Sequence, residues 1–360
     1  MSLPIGLRAL RHPDFRRFFA AQFVAQTGSW MQTVAQSWLV LQLTPSPFKL
    51  GLIGSLQFAP ILLFSIASGA LADRLPKRRL LMCTQTALGC LALILAALVA
   101  SGRVEYWHVA VLAFISGLVN VLEQPSRLNG IGFAVTVAML SRLGTRGLPR
   151  ARSGRGVVDD ILTGLRYAVR TPEIRLMLGL LFLVSICVFN FTVYVPLVVR
   201  TVLHLGAEGF GLLMACLGVG AVTGALTVGV LGARQPPTAM LFSTAALACG
   251  GLLALSTARV FWFAAVAVFL TGLFGVVLVA SCNTAMQLAA PDELRGRVMS
   301  LYTLVWGGAF PVGAFIVGSI SEHWGVGRAL LVNGTAGLIG AALLLGWWTF
   351  REEAGRPREA

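Results

Sequence analysis

Ten apolar runs, each close to the length of a membrane-crossing helix, take up most of this 360-residue chain. They lie near 18–42, 50–72, 80–101, 106–125, 176–199, 209–232, 239–257, 260–285, 300–320 and 327–349. Roughly 20 helical residues cross a hydrocarbon core of about 30 Å. Such runs predict an all-α integral membrane protein. Hydrophobic residues make up 57% of the chain and charged residues 12%, more apolar surface than a soluble domain of this size can hide. The first run opens on Arg16 and Arg17 and has no small-residue cleavage site, so it reads as a retained helix and not a signal peptide.

The basic residues then set the orientation. Net charge is +14, which in a soluble protein would point to nucleic acid. Here the charges sit in loops between apolar spans, where the positive-inside rule accounts for them. With the N-terminus in the cytoplasm, Arg8, Arg11, Arg16, Arg17, the loop Arg74–Arg79, the stretch Arg127–Arg175, Arg234, Arg295, Arg297 and the C-terminal arginines are inside. Lys49, Arg103, Arg200, Arg259 and Arg328 are outside. The partner that this charge distribution predicts is a bilayer and not nucleic acid, and the chain is expected to be monomeric.

Metal, cofactor and enzyme chemistry find little support. All six cysteines lie in apolar runs without a C-x-x-C pair, and the four histidines are scattered near helix ends. A phosphate-binding G-x-x-x-x-G-K-[ST] loop is absent, as is a cluster of carboxylates, histidines or a nucleophile–base pair at one membrane depth.

The chain carries an internal repeat. Gly51 and Gly69 are 18 apart, as are Gly211 and Gly229. FISGL at Phe114–Leu118 matches FLTGL at Phe269–Leu273, and LNG at Leu128–Gly130 echoes VNG at Val332–Gly334. Gly272 and Asn333 are 61 positions apart, but Gly117 and Asn129 only 12. The first half therefore lacks about 49 residues, which in the second half hold a loop and one whole helix.

The loop GALADRLPKRRLL at Gly69–Leu81 resembles the signature between helices 2 and 3 of major facilitator superfamily transporters. Gly69, Leu71, Asp73, Arg74, Lys77, Arg78 and Arg79 fit its pattern, and Pro76 stands where a second glycine is usual. RHPDFRRFF, SWMQTVAQSWLVLQLTPSPF, EQPSR and DDILTGLRYAVRTPEIR resemble the subgroup of siderophore and macrolide exporters. That resemblance implies two parallel helical-bundle repeats, with helix 5 missing after Arg127: about ten full spans plus one short segment instead of twelve. It also implies that Asp73 anchors the basic loop and caps a helix of the other half, holding the cytoplasmic side shut. The bland alternative is a basic topology signal.

Residues 128–141 are 14 uncharged positions, about 21 Å of helix, too short for a comfortable crossing. They are expected to be tilted, re-entrant or interfacial. The expected organisation is an N-terminal bundle over 1–144, a cytoplasmic linker with an amphipathic helix over 145–175, and a six-helix bundle over 176–360.

Gln22, Gln26, Ser29, Thr33 and Gln36 share one face of the first helix. That stripe either lines a substrate cavity or bonds to neighbouring helices. Asn120, Asn190 and Asn283 add weakly polar positions, and Trp30, Trp38, Phe189 and Phe191 offer aromatic walls. Glu123, near the inner end of the fourth span, is the candidate for proton coupling, against a surface pairing with Arg127. The sequence thus predicts a proton-coupled exporter of a small amphipathic or lipophilic molecule in a bacterial inner membrane. The alternatives are a transport-defective deletion variant and a membrane protein without transport activity. Cysteines placed at 77 and 150 should label from the cytoplasmic side and those at 103 and 259 from outside. Labelling of 150 from outside would mean that 128–141 crosses the membrane.

Overall fold

The computed structural model describes residues 13–72, 77–122, 157–231, 235–291 and 294–354. Every regular element among them is an α-helix. In chain order these are α1 (Pro13–Leu43), α2 (Pro47–Ala72), α3 (Lys77–Ala100), α4 (Tyr106–Leu122), α5 (Val157–Arg170) and α6 (Pro172–Cys187). There follow α7 (Phe191–Thr201), α8 (Ala207–Leu231), α9 (Thr238–Thr257), α10 (Phe261–Ala289), α11 (Arg295–Trp324) and α12 (Val326–Ala354). The linker 145–156 and the short apolar segment 128–141 lie outside the described residues.

All ten expected spans coincide with helices, but they do not cross alike. Eight spans are long and apolar enough by length and composition. α1 has the length, at 31 residues; the polar stripe keeps it out of that set. α4 is described only over Tyr106–Leu122, too short to be counted with the eight. The span expected at 176–199 is two helices, α6 and α7, separated by Val188–Asn190.

Without water between helices, tight packing is what holds them, and glycine lets backbones approach. In the second half α8 and α10 meet this way. A Cβ on Gly272 would stand 2.5 Å from the Leu217 carbonyl oxygen, and one on Gly224 would stand 2.5 Å from that of Leu273. The first half repeats the contact. Gly117 of α4, the counterpart of Gly272, faces the Gln57 carbonyl and the Pro60 ring so closely that no side chain fits. Gln57 holds in α2 the register that Leu217 holds in α8, six residues after Gly51 and Gly211. The internal repeat is thus the same helix–helix contact built twice.

The two halves join along α2 and α11, which run antiparallel. A Cβ on Gly51 would come within 2.5 Å of the Ala314 carbonyl and 2.8 Å of the Gly318 Cα. Ser55 donates its hydroxyl to the Pro311 carbonyl at 2.7 Å. Further along, Gly307 lies under Ile61 and Gly308 under Leu62. Among the described residues α8 has no matching companion. A Cβ on Gly211, the counterpart of Gly51, or on Gly218 would meet no described neighbour within 4 Å, and Leu212, Val219, Val222 and Leu226 are exposed. By the repeat, the counterpart of α11 is the helix expected to be missing from the first half, and no described residue takes that place on α8.

α5, the amphipathic helix expected in the linker, packs on α11. Its Gly164 and Ala168 are buried, Gly164 against the Arg297 side chain of α11, while Leu165 and Val169 stay exposed beside Arg166 and Arg170. One face docks on the second half and the flank remains apolar.

Gly272→Leu and Gly117→Leu should each force a helix pair apart, at a cost of about 1–3 kcal/mol. Gly218→Leu, facing open space, should be tolerated. Thermal stability of the detergent-solubilised protein, followed by size-exclusion chromatography, checks the contrast. Equal losses at all three positions would contradict this packing.

Candidate functional site

The most enclosed span is the one that breaks. α6 ends at Cys187 and α7 starts at Phe191, so the last carbonyls of α6 lose their helical partners. Inside a membrane such groups need another donor. Two side chains supply it: Asn190 donates its amide to the Ile186 carbonyl at 2.7 Å, and Tyr194 its hydroxyl to the Val188 carbonyl at 2.9 Å. Pro196, six residues on, has no N–H to donate to the first turn of α7. The chain can therefore leave helical geometry without an orphaned carbonyl at Ile186 or Val188.

The break sets Phe189 and Phe191 against one another, ring centroids 5.2 Å apart. Phe189 fits over Gly275 of α10, where a Cβ would stand 3.2 Å from its ring. It then meets Trp306 of α11 edge to face at 4.4 Å, and Trp306 meets Phe310 at 5.3 Å. Phe310 stacks on Phe58 of α2 at 4.9 Å. A run of five rings therefore crosses from α7 over α11 to α2, from one half into the other. Phe189 and Phe191 are buried; Phe58, Trp306 and Phe310 are half-buried and keep open edges. Such rings offer apolar area with geometric preference, each aromatic contact contributing about 0.5–1.5 kcal/mol beyond its area.

The polar candidates separate under this geometry. In α1, Thr33 spends its hydroxyl on the Ser29 carbonyl at 2.9 Å, and Ser29 is exposed. Gln26 has a partner as well. Gln36 differs: it is 7% exposed, and its amide nitrogen is without a hydrogen-bond partner. The stripe is thus partly consumed within its own helix, with one free buried donor at its outer end. Asn120 donates to the Ser116 carbonyl one turn back. Asn190 is absorbed by the helix break. Asn283 accepts from the Gln287 amide at 2.5 Å and hydrogen-bonds the Tyr302 side chain, while Arg295 donates to the Gln287 carbonyl at 3.1 Å. These four form one polar group on α10 and α11.

Asp73, Arg74 and Glu123 lie outside the described residues, as do the side chains of Gln22, Lys77, Arg78 and Arg79 and the surroundings of Gly69. Among the described residues, every carboxylate lies in a loop or in the first or last turn of a helix. The interior there is uncharged, and among the described residues no three His, Cys, Asp or Glu side chains come together as a metal site. Of the expected aromatic walls, Phe189 and Phe191 are in the run of rings. Trp38 instead stacks on Phe210 at 5.7 Å, and Trp30 is exposed. Sequence reasoning missed Phe58, Trp306 and Phe310. The four-residue spacing of Trp306 and Phe310, which places both on one helical face, was the available signal.

Comparison with known proteins agrees with this architecture. The family described as transmembrane secretion effector matches residues 5–142 and again 128–354, two stretches overlapping at 128–142. The enterobactin exporter EntS of Citrobacter koseri is 24% identical over 392 aligned positions, covering 93% of this chain and 91% of that protein. That alignment is longer than the 360-residue chain, so part of the exporter faces gaps here. The staphyloferrin A transporter of Staphylococcus aureus is 30% identical over 111 residues, 31% of this chain and 28% of that protein. In fold, the chain resembles the crystal structure of a point mutant of the nucleoside transporter NupG, with a TM-score of 0.60, 11% identity, and coverage of 89% of this chain and 96% of that one. At that identity the likeness speaks to the fold alone. With the family match running through both halves, this chain belongs to the transmembrane secretion effector family of the major facilitator superfamily.

Proposed function

We propose that this chain, a multi-pass secondary transporter of efflux type in a bacterial inner membrane, exports a small amphipathic or lipophilic molecule, siderophore or drug-like, by proton-coupled alternating access. The observation that carries this reading is the run of rings from Phe191 to Phe58, which lies where the two halves meet and leaves three rings with open edges. An uncharged aromatic surface, together with the unpaired buried amide of Gln36 in α1, favours an apolar body with a hydrogen-bonding edge over a sugar phosphate or a multiply charged ion. The near full-length likeness to enterobactin exporters supports the same substrate class.

In this reading residues 1–144 and 176–360 form the two rocking bundles, and 145–175 joins them on the cytoplasmic side. Helix 5 is absent from the first bundle. Asp73, with Arg74, Lys77, Arg78 and Arg79, closes the inner end when the transporter faces outward. Glu123 carries the coupled proton, since the described helices hold no carboxylate away from their ends. Phe310→Ala should cut flux of a lipophilic substrate in proteoliposomes by roughly 2- to 10-fold at low concentration, the worth of one or two ring contacts. A pH gradient imposed across the same vesicles should drive flux in the parent and not in Glu123→Gln. Parent vesicles that move no member of a lipophilic panel, with or without the gradient, would refute the transport reading.

One observation favours a second reading, a transport-defective deletion variant: the face of α8 at Gly211 and Gly218, which no described residue covers. Inserting about 49 residues of helix-5 type sequence after Arg127 should cover that face and raise both stability and flux. If the 360-residue chain already transports at the rate of the restored version, this second reading fails.

A further inference from the structure

The short turn between α1 and α2 is gripped from the other half by two charges of opposite sign. α1 ends in carbonyls and α2 begins in N–H groups that no helical partner satisfies, so the turn lies between a partly negative and a partly positive helix end. Arg200, in the last turn of α7, donates its guanidinium to the Leu41 carbonyl at the end of α1. Glu322, in the last turn of α11, accepts from the Phe48 amide at 3.0 Å and the Ser46 hydroxyl at 2.8 Å at the start of α2. The cation meets the negative end and the anion the positive end. Ser46 is itself tied into the first turn of α2, where its hydroxyl oxygen accepts from the Lys49 amide at 3.2 Å. Two aromatic contacts back the grip, Trp38 on Phe210 at 5.7 Å and Phe48 against Phe315 at 5.6 Å.

All of these groups sit at the end of the bundle that carries Lys49, Arg103 and Arg259, the outer end in the orientation set by the arginines. We propose that Arg200 and Glu322 form a clamp on the α1–α2 turn that holds the outer end of the transporter closed and must release for the substrate pathway to open outward. The clamp rests on the alternating-access reading above. Neither charge lies in the run of rings or in the Asn283 group. Their role is positional: they bias which end is closed. On release both charges and both helix ends pass to water, so the two states lie close in free energy and a single lost contact shifts the balance.

The test needs no substrate. Ser55 lies in the α2–α11 seam just beneath the clamp, half-buried and bonded to the Pro311 carbonyl. In the full-length chain carrying Ser55→Cys, a membrane-impermeant maleimide is applied from outside and its reaction at position 55 is followed by peptide mass spectrometry. Adding Glu322→Gln or Arg200→Gln should speed labelling at 55 several-fold, and the two together no more than modestly beyond either alone. Glu322→Asp, which keeps the charge but draws it back from Phe48, should fall between. The clamp is overturned if labelling at 55 is unchanged in all three while thermal stability falls, since the contacts would then only hold the fold together. If Glu322→Gln does not reach the membrane, the Glu322→Asp rate decides in the same way. Failure of the labelling result leaves substrate flux unaffected as evidence for transport, and absent flux leaves the labelling result standing.

Discussion

The close approach of α2 and α11 is the contact on which the rest of the molecule depends. Gly51 and Gly318 bring two backbones together where any side chain would collide. That proximity lets Ser55 reach the Pro311 carbonyl, lays Phe58 on Phe310, and brings Glu322 to the start of α2. In lipid no hydrophobic force between helices can substitute for it. A larger residue at either glycine would loosen the seam, the aromatic run and the charged turn together. These features share one cause, and the loss of one is coupled to the loss of the others.

The second constraint is polar. A break in a membrane helix is tolerated only if its carbonyls find donors. Asn190 and Tyr194 provide them from within the same segment, so the break between α6 and α7 draws on no neighbouring helix. The freedom gained is spent on orientation. Phe189 and Phe191 turn toward each other and toward α11, which an unbroken helix with residues 100° apart could not arrange.

Much of the architecture was legible because membrane-spanning elements are written in length and charge. The ten runs became helices, and the match of FISGL at Phe114–Leu118 with FLTGL at Phe269–Leu273 became two copies of one contact, with Gly117 on Gln57 and Gly272 on Leu217. Hydropathy could not show the break at Val188–Asn190, because the span around it is as apolar as an intact helix requires and only the presence of Asn190 and Pro196 hints otherwise. The polar stripe of α1 was visible as a period, but periodicity does not say where a hydroxyl bonds. Thr33 turned back on its own helix while Gln36 did not. Nothing in the sequence marks Glu322, since its partners are more than 270 residues away.

The position of the Gly51–Gly318 contact along α2 has a mechanical consequence. At 1.5 Å per residue, Gly51 is about 6 Å from the start of α2 at Pro47 and about 32 Å from its end at Ala72. If α2 turns as one body about that contact, it is a lever with arms in a ratio of about one to five. A displacement of about 1 Å at the short arm, enough to stretch the hydrogen bonds of Glu322 beyond useful length, sweeps the long arm through about 5 Å. In such a turn the short arm would work by making and breaking bonds, and the long arm by opening and closing space.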